Sequence, residues 1–396
     1  MLNFQKLIGQ IDGVGKEHLL TGSSAAQTLA SAKEAYLEAA AMPESIYARL
    51  VEAELTAFWP VAIPLEPFAQ VSKSARLDIP LTVVAADGSQ IMPSHHEVYN
   101  CYLLNIGTTL ITYGVKLPPL LDSVPRLYHR AEDLYPLVDR RRLHIDEQFV
   151  ALERNLEELS TLRLLTLQAL ERKLPVVAFV DGSLIPFSLD KMPDSYRHTY
   201  LERLSAILES FRLLEVPLLG YISQSRAYDV INVLRISKCP FPQSRCKDYC
   251  AHLNEEDTAC SVVWPSTDRQ LMSTFLEPLS RSNIFASGSS VLSRLPGCHH
   301  IAFTYVNVGQ EIARLEFPRW LSQDSKKLDL SVAVVISQAE KGQGYPVCLA
   351  EAHNQAVIRA CDRARFFELL RLHLVGMGVE KVRVSPKEGR KRHGIV

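Results

Sequence analysis

The chain has 396 residues, a formal charge of −1 with histidines neutral, and 47% apolar residues. That length exceeds one ordinary domain, and the apolar share supplies packed cores and excludes a disordered chain. Near-neutrality excludes an overall basic nucleic-acid binder and leaves affinity for phosphates to local patches.

The N-terminus, MLNFQKLIGQIDGVGKEHLL, has no long apolar stretch after a basic start and does not read as a secretory signal. No window approaches ~18 consecutive apolar residues, so no membrane span is expected. The eight cysteines are spread thinly, unlike those of a small secreted disulfide scaffold. The expectation is a soluble cytoplasmic protein.

Residues 23–58 are rich in Ala, Leu and Glu, with apolar positions three and four apart, which predicts one or two amphipathic helices. They belong to an N-terminal helical segment, residues 1–80, serving either as an arm for self-association or as helices folded back on the core. Pro60, Pro64 and Pro67 break the pattern. Residues 81–86 form a first strand, and residues 96–106 and 108–115 a second and third, turning near Asn105-Ile106-Gly107. A long helical region follows over 133–173, then a doubly apolar central strand at 176–180. Helices at 200–214 and 228–234 bracket a strand at 216–222. Strands at 301–308, 311–317 and 330–337 precede a closing helix at 354–375. A frayed basic tail covers 381–392. Strands alternating with helices predict an α/β fold, a mixed sheet flanked by helices, in one domain at 81–378 followed by the tail at 379–396.

Two apolar strands run into the same tripeptide. LTVVAADGS ends in Asp87-Gly88-Ser89, and VVAFVDGSL contains Asp181-Gly182-Ser183. Asp, Gly and Ser are common turn residues, so one copy alone means little. Two copies on adjacent strands place two carboxylates in the crevice at the strand ends, where they repel each other unless a divalent cation lies between. Near the C-terminus, GYPVCLAEAHNQA adds Tyr345, on a short strand-like piece, and His353, near a helix start. Histidine suits either metal ligation or proton donation beside a phosphate.

This order of motifs (DGS, hairpin, long acidic helix, VDGSL, GYIS, then a Tyr eight residues before a His) resembles the NurA family of DNA-end-processing nucleases, over residues 81–375. The resemblance implies a ribonuclease-H-like core and a metal-dependent exonuclease and single-strand endonuclease using Mn²⁺ or Mg²⁺. It also implies a homodimer that processes DNA double-strand breaks with the hexameric HerA translocase. Asp87, Asp181, Tyr345 and His353 match the family's motif residues, with Asp87, Asp181 and His353 as metal ligands. The family also takes a glutamate from the helix before the second DGS. Glu147, after the basic cluster Arg140-Arg141-Arg142, fits its Arg-then-Glu pattern and is placed first. Rise arithmetic points elsewhere: a six-residue strand spans ~20 Å, which a helix retraces in ~14 residues, reaching Glu157 or Glu158.

Cys239, Cys246, Cys250 and Cys260 lie within KCPFPQSRCKDYCAHLNEEDTAC, a segment the family pattern does not require. Four thiolates this close suit zinc or an iron–sulfur cluster, although the CxxC pairs of strong zinc motifs are missing. Arg314, Arg319 and Trp320 are candidates to line a DNA path. Two rival readings stand beside the nuclease. One is a catalytically silent DNA-binding subunit, and the other a metal-dependent phosphoesterase acting on small substrates.

Overall fold

The apolar run after Pro80 forms one long strand, β1 (Leu81–Ile91), so Asp87-Gly88-Ser89 lies within it rather than at its end. The structure, a computed structural model, describes residues 2–94 and 97–379. The expected basic tail at 381–392, and residue 96 at the start of the second expected strand, lie outside that range. The chain divides into two units. One comprises residues 77–221, 294–299 and 337–396; the other comprises residues 1–76, 222–293 and 300–336.

In the first unit β1 pairs antiparallel with β2 (Tyr102–Tyr113), setting Asp87 opposite Gly107 and Ser89 opposite Asn105. β2 is one strand where two were expected, because Gly107 sits in mid-strand and makes no turn. The sequence pattern did not reveal β3 (Leu120–Tyr128), which pairs antiparallel with β2. It is mostly exposed and carries Pro125, which suits an outer strand with no further strand beside it among the described residues. On the other flank β1 runs parallel to β4 (Val176–Asp181), and β4 runs parallel to β5 (Leu218–Ile222). A three-strand meander joined to two parallel strands, in the order β3-β2-β1-β4-β5, is the ribonuclease-H-like arrangement.

Helix α1 (Glu147–Leu170) starts where Asp146 accepts the Phe149 N–H at 2.8 Å. The expected helix start at 133 is instead a short turn and a two-stranded ladder through Arg141–Arg142. Phe149, Leu152, Leu156, Leu159 and Leu162 share the buried face of α1, each contributing ~2 kcal/mol of hydrophobic burial. On the adjoining helix α2 (Asp194–Leu213), Tyr200 donates to Asn155 Oδ1 at 2.8 Å, and Tyr196 donates to Glu153 Oε1 at 2.8 Å. The expected closing helix is two helices, α3 (Val347–Ala356) and α4 (Ala360–Gly376).

In the second unit the helices Phe4–Ala41 and Pro43–Thr56 are folded back. Ala32, Tyr36, Ile46 and Leu50 share a buried cluster with Val230 and Leu234 of the helix Asp229–Ser237. The strands Ile301–Asn307 and Ile312–Pro318 pair antiparallel as expected. Residues 330–337, expected as a strand, lie within the helix Ser325–Lys341. A short apolar run rich in Val and Ile has no period that separates a strand from a buried helix. Arg314 is buried, in ion pairs with Asp229 and Glu316 at 2.9 Å each, so it does not line a DNA path. Arg319 is exposed and Trp320 half-buried. No helix among the described residues is long and apolar enough to cross a membrane.

Candidate active site

The two acidic motifs meet because β1 and β4 run parallel in register. Ala86 pairs with Val180, so Asp87 and Asp181 follow one step later on neighbouring strands. The two DGS copies then part ways. The chain continues as strand after Asp87, whose Oδ1 accepts the Gly88 N–H at 2.7 Å. After Asp181 the strand stops, Gly182 turns with φ +97°, and Ser183 Oγ accepts the Ile185 N–H at 3.0 Å.

Glu158 of α1 completes an acidic trio. A Cβ added at Gly88 would stand 2.5 Å from Glu158 Oε1, so only glycine lets this carboxylate settle against the β1 backbone beside Asp87. Arg154, one turn earlier, pairs with Glu158 at 3.2 Å. Glu157 faces elsewhere, towards Arg126 and Tyr128. Glu147 is exposed in the first turn of α1, eleven residues before Glu158 and so ~16 Å away along the helix. The structure therefore does not bring Glu147 to the two aspartates. Of the three glutamates considered from the sequence, Glu158 is the one placed beside Asp87 and Asp181.

Tyr345 and His353 arrive from the far end of the chain. His353 Nδ1 lies 2.7 Å from Asp87 Oδ2, with the imidazole largely exposed. The Tyr345 hydroxyl hydrogen-bonds Asp181, and its ring packs edge-on against Tyr221, centroids 5.6 Å apart. Helix α3 presents His353 because it is clamped to the sheet. At Gly107 an added Cβ would stand 2.2 Å from the Ala352 carbonyl oxygen and 2.3 Å from the Ala356 nitrogen, so the helix backbone rests directly on β2. Asn105 Nδ2 donates to the Ala356 carbonyl at 2.9 Å and Ser89 Oγ donates to the same oxygen, so two sheet residues satisfy the end of α3. The Ser of the first motif thus anchors the histidine's helix, a role its sequence context did not suggest.

The charges are crowded. Burial pushes the Glu158 carboxyl up to about 8; Arg154 opposes this, and Asp87 and Asp181 add to it. Asp181 is also raised, first by burial and then by Asp87, with Tyr345 and His353 opposing. Three carboxylates with hard oxygens are a donor set suited to Mg²⁺ or Mn²⁺. Among the described residues no three Asp, Glu, His or Cys side chains already converge on one ion position. In this site Asp87 is turned to His353 and Asp181 to Tyr345. The donor set and the glycine cradle fit a divalent cation held by Asp87, Asp181 and Glu158.

A raised carboxyl pKa makes a signed prediction. The folded state holds the Glu158 proton more tightly than the unfolded chain, so its contribution is fully present below pH ~4.5 and is lost as pH rises through about 8. In EDTA the melting temperature is expected to fall between pH 5 and pH 8.5, and Glu158→Gln is expected to flatten that fall. Mn²⁺ at pH 8.5 is expected to restore the wild-type protein and not the variant. Parallel melting curves for both proteins across this range would remove Glu158 from the cluster.

The NurA domain family model matches residues 81–358. Among solved structures, the NurA nuclease from Sulfolobus solfataricus is similar at 13% identity and a TM-score of 0.47, covering 78% of this chain and 87% of that one. LC9-RNase H1, a type 1 RNase H with the type 2 active-site motif, is similar at 14% identity and a TM-score of 0.18, covering 40% of this chain and 71% of that one. No curated protein matches the chain.

Proposed function

The chain belongs to the NurA family, and we propose that it is a divalent-metal-dependent deoxyribonuclease that trims DNA ends and cuts single strands. The observation that carries this is the meeting of Asp87, Asp181 and Glu158 around Gly88, with His353 against Asp87. A divalent cation, Mn²⁺ or Mg²⁺, held by these carboxylates would supply charge neutralisation at the scissile phosphate and a lowered pKa for an attacking water.

The chain's own groups have separate tasks. Asp87 and Asp181 would hold the ion from two rigid strands, and Glu158, once deprotonated, from the helix. The Asp87 carboxylate orients the His353 imidazole, which holds or passes a proton at the exposed edge of the site. Tyr345 fixes the Asp181 carboxylate through its hydroxyl. Gly88 keeps the strand backbone open to close approach.

The family resemblance extends the reading to a cytoplasmic homodimer that works with a HerA-type hexameric ATPase on double-strand breaks. The test is cleavage of end-labelled single-stranded and duplex DNA with Mn²⁺, with Mg²⁺ and with EDTA. Cleavage with either metal and none with EDTA is expected; unchanged cleavage in EDTA overturns the reading. Binding is a second check, with Ca²⁺ replacing Mn²⁺ to suppress cleavage. The chain is nearly neutral, so affinity comes from local basic surface and is expected to fall by ~0.7 log units per phosphate contact per log unit of salt for single strands. Two unrelated oligonucleotides should bind alike, since stacking accepts any base. A flat salt dependence would favour the small-substrate phosphoesterase.

A further inference from the structure

Four of the eight cysteines line one cavity in the second unit. This space of about 410 Å³ is walled by Cys239, Cys246, Cys250 and Cys260 together with Phe58, Trp59, Phe241 and Arg235. All four thiols are free. The first cysteine is held firmly. The Arg49 guanidinium donates to the backbone carbonyls of Ile236, Ser237, Cys239 and Phe241 at 2.9–3.2 Å. Phe241 and Tyr249 stack with centroids 4.5 Å apart, which closes the loop that carries Cys246 and Cys250.

Arg235 supplies the second observation. It is 1% exposed, and its guanidinium lies 3.7 Å from the Trp59 ring. One terminal nitrogen donates to Glu255 Oε1 at 2.6 Å, while Nε and the other terminal nitrogen have no hydrogen-bond partner among the described residues. Buried cationic N–H groups without an acceptor are costly, so this wall of the cavity calls for an anion or another acceptor. A metal centre bound by four thiolates carries net negative charge and offers sulfur acceptors.

We propose that Cys239, Cys246, Cys250 and Cys260 hold an iron–sulfur cluster in this cavity. A single zinc ion needs thiolates ~2.3 Å from the metal and therefore ~3.8 Å from one another. The four thiols instead border a cavity of about 410 Å³, far more room than one such ion fills. A polynuclear core sets its cysteines at the corners of a larger body, which suits four thiols spaced around an open volume. The aromatic walls shield the cluster from water, and the unpartnered Arg235 nitrogens donate to its sulfurs. The cluster cross-links residues 239–260 to one another, beside Phe58 and Trp59 of the N-terminal segment.

The test uses the full chain, purified without oxygen from iron-replete cells, with iron, zinc and acid-labile sulfide measured per chain. About four irons and four sulfides and a brown colour are expected. Cys246→Ser and Cys250→Ser are expected to lose most of both. Cys298→Ser and Cys361→Ser, at exposed sites outside the cavity, are expected to keep them. Should the first two variants fail to fold, wild-type protein stripped of metal and supplied, without oxygen, with ferric iron, a dithiol reductant that brings part of it to the ferrous state, and sulfide decides instead, by regained colour and a raised melting temperature. One zinc per chain without sulfide, or no iron uptake in that reconstitution, overturns the proposal.

Discussion

Asp181→Ala and Asp87→Asn are each expected to lower cleavage of labelled single-stranded DNA in Mn²⁺ by ~10³-fold or more. Loss of a ligand forfeits several kcal/mol of charge stabilisation at the phosphate, and each ~1.4 kcal/mol is a factor of ten. The melting temperature in EDTA is expected to hold or rise, because the Asp181 carboxyl is already disfavoured by burial and by Asp87. The amide at position 87 still accepts the Gly88 N–H, so the strand survives while the charge facing His353 is lost. Activity assays run beside melting curves separate the two effects. Wild-type rates in either variant would take the carboxylates out of the chemistry.

Gly107→Ala is expected to be nearly as damaging for a mechanical reason. The added methyl would meet backbone atoms of α3 at 2.2 and 2.3 Å, and backbone cannot rotate aside as a side chain can. Relief requires the helix to lift, which costs about 3 kcal/mol or more and moves His353 away from Asp87. In a unit of this size that is a fall in melting temperature of roughly 6–12 °C. Gly376→Ala, in a helix with no atom within 4 Å of the added carbon, is the control and is expected to be neutral or slightly stabilising. Equal melting temperatures for the two variants would refute the clamped helix.

The paired aspartates were legible in the sequence because their signal is local. An apolar strand running into Asp-Gly-Ser can be read within ten residues, and parallel pairing brings two such motifs together. Tyr345 and His353 came from family spacing; the residues that hold α3 in place did not. Asn105 and Gly107 look like a turn because Asn and Gly are turn residues, and only the helix crossing above them explains their place in mid-strand. The glutamate was ambiguous for a related reason. Selecting Glu158 over Glu147 depends on how far α1 runs back along the sheet, a three-dimensional length that a basic cluster upstream does not report. Residues 330–337 were misread because burial on all sides erases the period that tells strand from helix.

The dispersal of the site along the chain has a consequence for synthesis. Asp87, Glu158 and Asp181 are all made first, but residues 222–293 and 300–336 of the other unit are made before Tyr345 and His353. At ~5–20 residues per second that interval is on the order of ten seconds or more. During it the carboxylates have neither their histidine nor their tyrosine, and the groove at Gly107 lacks its helix. A nascent chain is therefore expected to be harmless to nearby DNA until its last helices dock. Ribosome-bound chains halted before residue 345 should leave labelled single strands intact, while released full-length chains cut them.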